Sequence, residues 1–243
     1  MPLGASEWEL AGAIAIVMLG GLVQGSVGFG LNLVVVPVLA VLIPGSVPGS
    51  VVLLSLPMTL MMLLREHHAI HWLGVRWITI GRLPGTVIGL LVVSAVADTT
   101  LAVVVGIVIL AGVLVSVLHP GIPVRRGSAA GIGTVAGITG TAAGVDGPAL
   151  ALLYQHAEPH TLRATLATCF LIGAIVSGAA LAIGGELRIE QLELTAILLA
   201  PMLVGLALSR FLVHHITPAA LRPLVLGFAT VAGVIAILRG ALG

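Results

Sequence analysis

Few side chains in this sequence could do chemistry away from water, and Asp146 is the sharpest of them. It is the only carboxylate between Asp98 and Glu158, and it lies inside the glycine-rich stretch from Gly137 to Pro148. A carboxylate at the centre of a membrane helix costs roughly 2.5–3.5 kcal/mol on insertion scales, so Asp146 must face a polar cavity or a partner, and proton coupling is the role that follows. The competing reading makes it the cap of a half-helix beginning at Gly147-Pro148, where Asp before the first turn and proline within it are both favoured. Arg82 lies deep in another apolar segment. It reads as a fixed positive charge for an anion, as a partner for Asp146, or, the reading its position favours, as a side chain snorkelling to the headgroups.

Two glycine-rich elements carry the remaining polar candidates. The first holds Gln24, Gly25, Ser26, Gly28, Gly30 and Asn32; the second holds Thr139, Gly140, Thr141, Gly144 and Gly147 beside Asp146. Glycine lets a helix unwind cheaply, and unwound backbone inside lipid needs a polar partner, which a small ion supplies. Half-helix N-termini aimed at one point carry partial positive charge and suit an oxyanion. With Arg82, these residues form the candidate substrate site. The bland alternative is close helix packing, because small residues recur four apart at Gly21/Gly25, Gly81/Gly85/Gly89, Gly133/Gly137 and Gly140/Gly144.

The eight histidines, at 67, 68, 71, 119, 156, 160, 214 and 215, all fall at segment ends. His67/His71 and His156/His160 have a spacing that could hold a metal if helical, but no acidic or cysteine cluster accompanies them, so solvated loop histidines are the better reading. The single cysteine, Cys169, excludes an intramolecular disulfide. No Ser-His or paired-carboxylate set lies at membrane depth, so neither enzyme chemistry nor a cofactor is expected.

The elements that must position these residues are membrane helices. The chain is 59% apolar and 8% charged, whereas a soluble domain carries about a quarter charged residues. A net charge of +1 is too small for a polyanion-binding face, which disfavours nucleic acid. The acidic start lacks the positive region of a secretory signal peptide. From Leu10 to Leu64 there is no charged residue or histidine, and shorter runs of this kind recur to the end. A helix crosses about 30 Å of hydrocarbon with about 20 residues, so the expected fold is all-α and polytopic. Proline, glycine and charge divide the chain into eight segments near 9–43, 47–64, 73–95, 99–118, 128–155, 162–184, 192–212 and 218–239. The first and fifth are too long for one span and hold glycine near their middles, which predicts broken helices or re-entrant hairpins. Eight crossings would place Arg65, Arg76, Arg125, Arg126, Arg188 and Arg239 on the side of the N-terminus, with Arg163, Arg210 and Arg222 opposite. That predicts a cytoplasmic N-terminus. Trp8, Trp72 and Trp77 fit the aromatic belt.

The chain also matches itself. A shift of 116 residues superposes Gly21 on Gly137, Gly28 on Gly144 and Gly89 on Gly205, and a shift of 121 matches Gly106 with Gly227 and residues 111–113 with 232–234. This predicts two four-segment transmembrane repeats, residues 1–122 and 123–243. Duplication of this kind is frequent in secondary transporters, whose sites lie between the halves near the bilayer midplane.

Gly21, Gly25, Gly28, Gly30 and Pro37 fit a signature of the form G-x-x-x-G-x-x-G-x-G-G followed by an apolar run and a proline; Gly137, Gly140, Gly144 and Gly147 fit it more loosely. On these residues the chain resembles the sulfite exporter TauE/SafE family of bacterial membrane permeases, over essentially its whole length. Leu31 and Asp146 stand where that family usually shows glycine. The resemblance implies export of sulfite, thiosulfate or an organosulfonate across a bacterial inner membrane by alternating access. Its implied partners are that anion, the lipid bilayer, protons and a second copy of the chain as a homo-oligomer. The alternatives are a divalent metal cation carrier, with Asp146 and the terminal histidines as ligands, and a membrane protein without a transport role.

Overall fold

The computed structural model describes residues 2–96, 98–118, 121–212 and 218–242, and every regular element among them is helical. The α-helices are α1 (Glu7–Val27), α2 (Leu31–Leu42), α3 (Gly49–Arg65), α4 (Trp72–Ala95), α5 (Asp98–Leu118), α6 (Arg126–Ala142), α7 (Gly147–Tyr154), α8 (Pro159–Ile183), α9 (Ile189–Leu212) and α10 (Pro218–Leu242). Five of them, α1, α4, α5, α8 and α9, are long and apolar enough to cross a membrane. Local chemistry sets their ends. Ser6 caps α1 in a reciprocal box: its Oγ accepts from the Glu9 amide, and its own amide donates to Glu9 Oε2 at 2.7 Å.

The two long glycine-bearing segments reverse direction instead of continuing. After α1 ends, Gly28 (φ 101°) and Gly30 (φ 122°) turn the chain, and α2 returns along α1. Gly20 faces Leu31 and Val35, and Gly12 faces Leu42. Only glycine adopts these φ values without strain. The second segment behaves alike. Gly144 (φ 71°) lies in the turn, and α7 heads back until the Ile122 amide donates to the Leu152 carbonyl at 3.0 Å.

Close backbone contacts fix the packing. α1 runs parallel to α9 and α4 parallel to α6, with glycines in both seams: Gly21 against Met202 and Gly205 against Met18, Gly81 against Ala130, Gly85 against Thr134 and Gly89 against Ile138. A Cβ at Gly81 or Gly85 would strike a carbonyl of the facing helix, which is how small residues let membrane helices approach. α3 and α8 are antiparallel, since Val52 faces Gly178 at one end while Glu66 pairs with Arg163 at the other. α5 and α10 are also antiparallel, with Gly106 facing Gly233 and Ile237, and Ile109 facing Gly233.

These directions overturn the expected distribution of arginines. Arg163 Nε donates to Glu66 Oε2 at 2.8 Å, so Arg163 shares an end of the molecule with Arg65 instead of lying opposite it. Arg65 lies within electrostatic reach of Arg210, and Arg126 sits over the Trp77 ring at 5.8 Å. Arg65, Arg76, Arg125, Arg126, Arg163 and Arg210 thus gather at one end, while Arg188 lies at the other with Glu7 and the start of α1. The physical reason is the hairpins: residues 9–43 and 128–155 each return toward the end from which they set out.

Candidate functional site

The turns of the two hairpins lie side by side. Asn32, in the first turn of α2, donates through Nδ2 to the Gly144 carbonyl at 2.6 Å and to Ser55 Oγ at 3.3 Å, and Gly147 at the start of α7 abuts Phe29. Gln24 reaches from α1 to accept the Leu31 amide at 3.0 Å, so it satisfies one of the orphan donors at the start of α2. Asp146 occupies the N-cap position of α7, yet its side chain makes no cap hydrogen bond. Its carboxylate is taken instead by Arg82, whose Nη2 lies 2.5 Å from Oδ2.

Arg82 is 2% exposed and does not snorkel. The parallel docking of α4 on α6 holds it inside the bundle. Its Nη1 donates to the Cys169 carbonyl on α8 at 3.4 Å, and its guanidinium occupies space that a Cβ at Gly173 or Gly140 would fill. Its Nε and the hydroxyl of Thr86, one turn on, are buried without a hydrogen-bond partner. A buried guanidinium with one carboxylate, a distant carbonyl and an idle N–H has one donor free for a further acceptor.

A small cavity of about 30 Å³ surrounds the pair. Of the residues singled out in the sequence, Gln24, Gly30, Asn32, Arg82, Gly140, Gly144, Asp146 and Gly147 line it. Gly25, Ser26, Gly28, Thr139 and Thr141 lie elsewhere. Gly25 packs against Ser209 on α9, Ser26 Oγ donates to the Leu22 carbonyl, and Gly28 rests on Arg163. The Thr139 carbonyl accepts the amides of Ala143 and Val145, and Thr141 Oγ1 shares a 2.8 Å hydrogen bond with Ser177, itself a lining residue. Ser55, Thr59, Gly173 and Ser177 also line the cavity and escaped the sequence reading. Their only signal is a small or hydroxyl residue recurring four apart on α3 and on α8, which packing produces equally well.

The described histidines lie apart from this cavity. His71 Nδ1 is 3.1 Å from Tyr154 Oη, and its amide donates to Thr165 Oγ1 at 3.0 Å. His119, His214 and His215 lie outside the described residues. Among the described residues, no three or more histidine, cysteine or acidic side chains come together as a metal site.

A family model described as sulfite exporter TauE/SafE matches residues 13–236, a span that contains the turns of both hairpins and every residue lining the cavity. Comparison with curated proteins and with solved structures finds no match.

Proposed function

The chain belongs to the sulfite exporter TauE/SafE family, and from that premise we propose that it is a secondary transporter exporting a small sulfur oxyanion across a bacterial inner membrane. Sulfite, thiosulfate and organosulfonates form the substrate class. The observation that carries this reading is the buried Arg82–Asp146 pair, set among polar groups where the two hairpins meet. Arg82 would receive the anion's oxygens, with the Asn32 amide and the first turns of α2 and α7 around it, and Asp146 would load and release a proton. Tight apolar sites without donors cannot hold an ion in lipid, whereas this one offers a guanidinium whose Nε is unengaged.

The working cycle is alternating access between two halves, residues 1–122 and 123–243, related by inversion. Several contacts support that relation. Exchanging α1–α5 with α6–α10 carries the α1/α9 seam onto α4/α6 and maps the α3/α8 and α5/α10 pairs onto themselves. Gly21 and Gly137 then occupy matching seams, as do Gly89 and Gly205. In this reading each half opens with a re-entrant hairpin, and the two hairpins enter from opposite faces to meet at the site.

Purified protein in liposomes tests the function. Saturable sulfite flux that thiosulfate inhibits, and that Arg82→Lys lowers at least tenfold while folding is kept, is the expected result. Flux of divalent metal ions with no sulfite movement would establish the cation-carrier alternative in its place.

A further inference from the structure

We infer that a monoanion, hydrogensulfite or an organosulfonate, and a proton cross together in the same direction, because the Arg82–Asp146 chamber accepts only a balanced charge; thiosulfate, a dianion, falls outside this coupling. This rests on the anion-transport reading above and adds to it the stoichiometry and the sense of coupling.

The groups facing the pair are few. α4 contributes Arg82, the start of α7 contributes Asp146, and α8 contributes Cys169, which lies within electrostatic reach of both. α1, α2, α3 and α6 bring only uncharged side chains to the cavity. As it stands the chamber is neutral, with one guanidinium against one carboxylate. It is also too small for the substrate: about 30 Å³ admits one or two waters, not an oxyanion of four or more heavy atoms. Seating the anion therefore requires Arg82 to be released from Asp146, since Gly140 and Gly173 pack against the guanidinium and its one unengaged donor, Nε, offers a single hydrogen bond, too few to hold an oxyanion.

If Asp146 stayed ionised after that release, two negative charges would face one guanidinium away from water, an arrangement that neighbouring carboxylates avoid by keeping a proton. A proton taken from water by Asp146 breaks the ion pair and restores neutrality. It also turns the carboxyl into a donor toward the oxyanion. On release, the anion departs, the proton returns to water on the far side, and the Arg82–Asp146 pair re-forms. Only two states are neutral: the empty ion pair, and the protonated carboxyl with a bound monoanion. Those are the two that can cross lipid at low cost. Proton and anion thus raise each other's affinity, as reciprocal linkage requires. Outward flux takes a proton with it, so export runs on the anion's own gradient, and an inward proton gradient opposes it.

The test uses the full chain in proteoliposomes with an internal pH dye and methanesulfonate, whose charge is fixed over the working pH range. The interior should acidify by about one proton per methanesulfonate entering. One pH unit, acid outside, should sustain about tenfold accumulation that an imposed membrane potential leaves unchanged. Asp146→Asn fixes the chamber positive when empty, so its flux should follow the membrane potential and ignore the pH gradient. Entry of methanesulfonate with alkalinisation, or voltage-driven entry without proton movement in the unaltered protein, overturns the inference. The dye measurement on unaltered protein decides even where the variant fails to fold. Flux of methanesulfonate, sulfite and thiosulfate no greater than in empty liposomes would instead remove the transport reading and this inference with it.

Discussion

Asp146 and Arg82 stand 64 residues apart in the chain and share a proton-scale contact in the fold, so each is the condition for the other's burial. Removing one partner leaves a buried charge uncompensated. Arg82→Ala and Asp146→Ala should each lower stability by about 3–5 kcal/mol, seen as reduced unfolding temperature in detergent. The double replacement Arg82→Met with Asp146→Leu should regain most of that loss, because well-packed apolar pairs often replace buried ion pairs without penalty, yet it should carry no anion. The combination separates a pair kept for function from one kept for folding. Sequence alone offered the pairing as one of three readings of Arg82. It could not choose, because the choice depends on the docking of α4 against α6, and Gly81 and Gly85, which flank Arg82, do not name the helix they meet. Ser55, Thr59 and Ser177 stayed hidden for a related reason: a hydroxyl in a membrane helix commonly donates to its own backbone, as Ser55 does to the Val51 carbonyl and Thr59 to that of Ser55.

At the level of elements, glycine serves two separate purposes that composition does not distinguish. In the α4/α6 and α1/α9 seams it admits a facing backbone, so Gly85→Leu should abolish folded protein in a size-exclusion profile because its Cβ alone meets the Thr134 carbonyl. In the hairpin turns it supplies left-handed backbone. Gly28→Ala would combine an unfavourable φ with a Cβ only 2.6 Å from Arg163 Cγ, and should cost on the order of 1–3 kcal/mol. Gly131, on α6 with open space around it, is the control: Gly131→Ala should leave folding and flux unchanged or raise stability by up to about 1 kcal/mol. The excess length of residues 9–43 and 128–155 made an interruption in each segment legible. The reversal at each interruption was one of two readings, beside a broken helix, and the sequence left the two open, because glycine widens the choice of backbone direction without selecting one. Selection comes from contacts such as Gly20 with Val35 and Ile122 with Leu152, which join residues far apart in register.

Across the whole molecule, the two hairpins redistribute charge by end. Among the described residues, Arg65, Arg76, Arg125, Arg126, Arg163 and Arg210 share one end with Glu66 and Glu158, while Arg188 shares the other with Glu7, Glu9, Glu186, Glu190 and Glu193. Counted along the chain with every long segment crossing, the arginines divide less sharply and accompany the N-terminus; counted on the fold, those with described side chains separate almost completely and lie away from it. Basic residues beside membrane segments are retained in the cytoplasm, so the start of α1 should face outward. In a Cys169→Ser background, a cysteine at Ser94, exposed near the end of α4 on the acidic side, should react in intact cells with a membrane-impermeant thiol reagent. A cysteine at His68, exposed at the arginine-rich end, should react only after the membrane is broken. The opposite pattern would mean that the charge separation serves the anion's approach and not insertion. The arginine-rich end would then be the mouth facing the outside.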